Sequence, residues 1–85
     1  MITAAQLRAA RALAGIDQRE LAERAGLSVP TIRRMEASDG VIRGNVDSLM
    51  KLIGAIEAAG IVLVGEGEAS GVGGRGVRLR DGGGA

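Results

Sequence analysis

The chain has 85 residues, 46% of them apolar, 11 basic against 10 acidic, and no Cys, His, Phe, Tyr or Trp. That length holds one modest core and leaves little room for the deep cleft of an enzyme. The missing thiols and imidazoles exclude disulfides, ordinary thiolate or imidazole metal sites and Ser-His or Cys-His catalytic pairs, and the missing aromatic rings argue against recognition by base stacking.

A net charge of +1 gives no bulk attraction for nucleic acid. Affinity depends on which face holds the cations, and all but one of the basic residues are Arg, the side chain suited to bidentate contact with phosphate and guanine. The N-terminus shows no basic segment followed by an apolar run, and no apolar stretch approaches the roughly 20 residues of a spanning helix. A cytoplasmic, non-enzymatic protein with no cofactor, no metal and no membrane contact is expected.

Along the chain, Thr3 to Gln6 form a capping box ahead of a first helix, with Leu7, Ala10, Leu13 and Ala14 as its apolar stripe and Gly15 as its stop. Asp17 to Glu20 open a second helix that turns Leu21, Ala22 and Ala25 inward and ends at Gly26. Ser28 caps a third, with Pro30 in its first turn and Ile32 and Met35 on one face. Residues 37–44 read as a loop with a turn at Asp39-Gly40. Asn45 caps a fourth helix whose buried face takes in Val46, Leu49, Met50, Leu52, Ile53 and Ile56. Gly54 weakens it by about 1 kcal/mol relative to Ala, and close approach of another backbone is one reason to keep it. After Gly60, Ile61 to Val64 and Val77 to Arg80 read as short strands joined by a glycine-rich loop. They pair as a hairpin or across a dimer.

The central stretch from Gln18 to Glu36 describes two short helices meeting at a tight turn. Ala22 permits close packing, Gly26 makes the turn, and Leu21, Leu27, Ile32 and Met35 set the angle. Val29, Pro30, Arg33 and Arg34 are left facing outward. This stretch resembles the helix-turn-helix of the phage repressor and Cro family, the xenobiotic-response-element type, at Gln18, Leu21, Ala22, Ala25, Gly26, Leu27, Ser28, Ile32 and Glu36. The similarity extends over residues 1–60. The family usually continues with a fifth helix, which the glycine-rich tail replaces here, so its dimer geometry does not carry over.

The resemblance implies that the helix Val29–Ala37 enters the major groove of double-stranded DNA. Val29, Pro30, Arg33 and Arg34 would meet base edges, with Arg34 reading guanine. Gln18, Arg19, Ser28, Thr31, Arg43 and Asn45 would hold phosphates. Glu36 would pair with Arg11 in a structural role, and Arg8 would then be free for a phosphate.

The expected fold is mainly α: a four-helix repressor-like domain over residues 1–60, a two-strand β element over 61–80 and a flexible tail over 81–85. The expected function is sequence-specific DNA binding in transcription regulation by a homodimer, because one short helix reads too few base pairs. Ile61, Val62, Leu63, Val64, Val77 and Leu79 would join the two chains. The alternative is a protein-binding module of the same fold, such as an antitoxin or antiactivator. Arg75, Arg78 and Arg80 are open to three readings: a solvated strand face, a phosphate track, or a dimer seam with Glu66 and Glu68.

Overall fold

The structure, a computed structural model, describes residues 2–65 and 74–80. Glu66, Glu68 and the tail 81–85 lie outside the described residues, as does most of the glycine-rich loop. Four helices are followed by a two-stranded antiparallel sheet: α1 (Ala4–Ala14), α2 (Gln18–Ala25), α3 (Val29–Glu36), α4 (Val46–Ala58), β1 (Ile61–Val64) and β2 (Gly76–Leu79).

Each helix starts where a side-chain oxygen replaces a missing backbone acceptor. Thr3, Asp17, Ser28 and Asn45 accept from the backbone N–H groups of Gln6, Glu20, Thr31 and Ser48. At Thr3 the box is complete, since Gln6 Oε1 accepts from the Thr3 N–H at 2.9 Å. Gly26 closes α2 at φ +69°, in the left-handed region that costs a side-chain-bearing residue energy. That conformation turns the chain sharply into Ser28 and α3.

The core is aliphatic. Leu7, Leu21, Ile32, Leu52, Ile2 and Ile61 are fully buried in it. Three apolar residues assigned to buried stripes are instead on the surface. Leu13 is 42% exposed because it lies roughly 100° round α1 from the centre of the Leu7–Ala10–Ala14 stripe. Met50, 63% exposed, sits almost opposite Leu52 on α4, and Val46, 72% exposed, leaves the core in the first turn. Among the described residues Gly54 approaches no other backbone: a Cβ there would meet nothing of them within 4 Å.

The loop after α3 is more ordered than its turn residues suggest. Ile42 is buried beside Ile2, its N–H donates to the Ile2 carbonyl at 3.0 Å, and the Ala4 N–H donates to the Gly40 carbonyl at 2.9 Å. The loop is thereby stitched to the chain's first residues.

The strands pair within the chain, Ile61 against Leu79 and Leu63 against Val77. Alternation puts these four side chains on one face, and all four pack on the core. The sequence offers six apolar strand residues to a second chain. In-chain pairing turns four of them inward and leaves Val62 and Val64, half-buried, on the other face. Arg80 has a structural partner, since its guanidinium donates to the Glu57 carbonyl in the last turn of α4, where α4 has no basic residue of its own.

Gln6 fastens the hairpin to α1. Its buried amide Nε2 donates to the Val64 and Gly76 carbonyls, each at 3.0 Å, one on either strand. Gln6→Leu is therefore expected to cost about 1–3 kcal/mol through stranded polar groups. It should speed amide exchange in β1 and β2 ahead of that in α2 and α3. Uniform acceleration across the domain would contradict the clamp.

Candidate nucleic-acid interface

Burial of Ile32 and Met35 fixes the rotation of α3. By that phase Arg33, Arg34 and Pro30 are exposed, with Val29 half-buried beside them. Arg19 and Gln18, in the first turn of α2, complete one edge of the surface. Where α1, the start of α2 and α3 meet lies an open concavity of about 600 Å³ lined by Arg11, Asp17, Gln18, Arg19, Val29 and Arg33. With Arg11 paired to Glu36 behind it, Arg19 and Arg33 against the single carboxylate of Asp17 leave the lining net positive, although the chain as a whole is nearly neutral.

A hydrogen-bonded network lies behind this surface. Glu36, at the end of α3, is the one charged side chain buried in the core among the described residues, 6% exposed. Arg11 grips it with two bonds, Nε to Oε2 at 2.6 Å and Nη2 to Oε1 at 2.9 Å. Gln18 Nε2 donates to Glu36 Oε1 at 3.2 Å, and Arg33 Nε donates to Gln18 Oε1 at 3.4 Å. A continuous path thus runs from the buried carboxylate to an exposed cation on α3. Burial pushes the Glu36 carboxyl up, but hydrogen bonds from Arg11 and Gln18 and the charges of Arg11 and Arg8 outweigh it and hold the group below its ordinary value. The hydrogen bond to Glu36 raises Arg11 in turn.

Arg8 is engaged too, donating from Nη1 to the Glu36 backbone carbonyl at 2.5 Å. It thereby serves the C-terminal end of α3, a role invisible to sequence reasoning because it depends on how α1 crosses α3. Gln18 carries a similar surprise: its amide bridges Glu36 and Arg33. A glutamine at a helix start signals only a polar end group, and nothing in the local sequence names its partners.

The remaining candidates sit at helix starts. Ser28 Oγ lies 2.8 Å from Thr31 Oγ1, so both hydroxyls cluster at the N-terminus of α3. Asn45 is exposed at the start of α4, its side chain committed to the Ser48 N–H, and Arg43 is exposed two residues before it. The structure brings Gln18, Arg19, Val29 and Arg33 together around the concavity, with Arg34 outside that group on α3. Of the two acids on α2 that could cover this region, Glu20 pairs with Arg24 at 2.5 Å and Glu23 is exposed.

No helix among the described residues is long and apolar enough to cross a membrane. No curated protein matches the chain. The model of one family, described as a helix-turn-helix domain, matches residues 3–59, which takes in all four helices. Helix-turn-helix domains as a class bind DNA, placing the second helix of the motif in the major groove. With α2, the Gly26 turn and α3 inside the matched span, the chain belongs to the helix-turn-helix domain family.

Proposed function

We propose that this protein is a sequence-specific double-stranded DNA-binding regulator of transcription of the phage repressor and Cro type. It reads the major groove with α3 and acts as a homodimer. The observation that carries this reading is the basic surface around α2 and α3, where Arg19, Arg33 and Arg34 are exposed and Glu20 is neutralised by Arg24. Acidic coverage of that surface by Glu20 and Glu23 would favour the protein-binding alternative; Glu20 is paired within α2, and Glu23 is exposed.

In this reading Arg34 reads a guanine edge, and Val29 and Pro30 offer apolar contact to a thymine methyl. Arg33, its Nε held by Gln18, meets base edges beside them. Gln18, Arg19, Ser28, Thr31, Arg43 and Asn45 serve the phosphates, the hydroxyls and amides aided by the positive ends of their helices. The Arg11–Glu36 pair holds α1 against α3 and touches no DNA.

Arg34→Ala is expected to weaken binding to a selected duplex by about 1–3 kcal/mol and to relax preference at one position per half-site. The measurement is titration of duplexes selected from random sequence, beside an unselected duplex. Equal losses on both would make Arg34 a phosphate contact, and no binding to any duplex by the parent protein would remove the reading altogether.

A further inference from the structure

The exposed face of α4 carries apolar side chains that the described residues leave largely uncovered. Val46, Met50 and Gly54 follow one another at four-residue spacing, so they form a single ridge. The first two are 72% and 63% exposed, and half-buried Ile53 borders them. At Gly54 the helix backbone itself is open, with no described residue within 4 Å of where a Cβ would stand. With a side chain at Val46, none at Gly54 and Met50 midway, the reversed ridge sets Val46 against the gap at Gly54.

We propose that this ridge is the seam of a two-fold homodimer in which two α4 helices pack antiparallel with Met50 at the centre. This deepens the DNA-binding reading by placing its dimer contact, and the test below uses no DNA, so either can fail without the other. A two-fold axis at Met50 sets each residue opposite the one equally far on the other side in sequence. Val46 then meets the partner's Gly54, filling the space its missing side chain leaves. Helical phase puts Asp47 and Lys51 on one flank of the ridge, where they already pair within the helix at 3.3 Å. In the dimer each Asp47 comes within a turn of the partner's Lys51, so the flank is self-complementary in charge. Glu57, an acid in line with the ridge, comes level with the partner's Arg43 ahead of its first turn. The sheet offers less, since its outward face has Val62 and Val64 beside exposed Arg78. A seam of one helix pair belongs with small interfaces, below about 1,200 Å² in total, which are commonly weak.

The full chain is expected to sediment as a dimer at tens of micromolar without DNA. Met50→Glu and Gly54→Leu should each yield a monomer with the helical signal retained, because both positions face solvent in the single chain. The sequence contains no Cys, so single cysteines report proximity directly. On oxidation Met50→Cys should form a disulfide-linked dimer, and Leu13→Cys on α1 should not. A parent chain that is monomeric at these concentrations overturns the proposal. So does a Met50→Glu variant that stays dimeric, or cross-linking through Val62→Cys but not through Met50→Cys.

Discussion

Arg11→Ala is expected to destabilise the domain by about 3–5 kcal/mol, because it leaves the Glu36 carboxylate buried without its principal partner. For a domain of this size each kcal/mol moves Tm by about 4–8 °C, so the melting temperature at neutral pH should fall by more than about 10 °C. Replacing both members of the pair with apolar residues of similar size should recover much of that loss, since the penalty lies in the stranded charge more than in the missing attraction. The effect has a definite pH signature. Glu36 titrates below its ordinary value in the fold, so its stabilisation is fully present above the unfolded value, about 4.3. It is lost as pH falls through the lower folded value. In Arg11→Ala the buried carboxyl prefers its proton, so the gap in Tm between parent and variant should close as pH is lowered towards 3. A gap independent of pH would mean that Arg11 acts through the packing of its aliphatic stem.

Ile32→Ala comes next in size. Ile32 is fully buried on the inner side of α3, directly beside exposed Arg33. Deleting its side chain should cost about 2–5 kcal/mol in transfer energy and cavity. Small domains carry about 5–15 kcal/mol in all, so such a variant would be marginal when warm. Its DNA affinity should fall only in proportion to the unfolded fraction and return on cooling. Arg34→Ala should show the opposite pattern, with an unchanged melt and a loss of affinity at every temperature. Melting curves and duplex titrations of the two variants at two temperatures separate the roles of the two faces of α3. An Ile32→Ala protein that melts like the parent would mean that the core around α3 closes over the gap.

The helix starts were legible from sequence because capping is local: Thr3, Asp17, Ser28 and Asn45 lie three residues from the donors they satisfy. The outward placement of Arg33 and Arg34 was legible for a related reason, since Ile32 and Met35 fix the phase of α3. Periodicity does not say how wide a buried stripe is, and that width depends on how far neighbouring elements reach. Leu13, Val46 and Met50 were accordingly assigned to the core and lie outside it. The in-chain pairing of the strands was equally hidden, because a strand's alternation fits a partner from either chain. Within the site, the resemblance suggested Arg11 with Glu36, whereas the bridging position of Gln18 and the engagement of Arg8 depend on how the helices cross. The burial of Ile42 in a loop rich in turn residues had no local signal, since it is produced by the return of the chain to Ile2.

The Gln6 clamp also sets a timetable for synthesis. The carbonyls it holds lie 58 and 70 residues further along the chain. Translation at about 5–20 residues per second delays the second of them by about 4–14 s after Gln6 is made. Through that interval α2 and α3 can meet, but the amide of Gln6 has no strand to hold and the face of α1 that receives Val77 and Leu79 stays wet. On the ribosome α1, made ahead of α2, α3 and α4, is therefore locked after β2 emerges. A chaperone that recognises exposed aliphatic surface has its opportunity at α1.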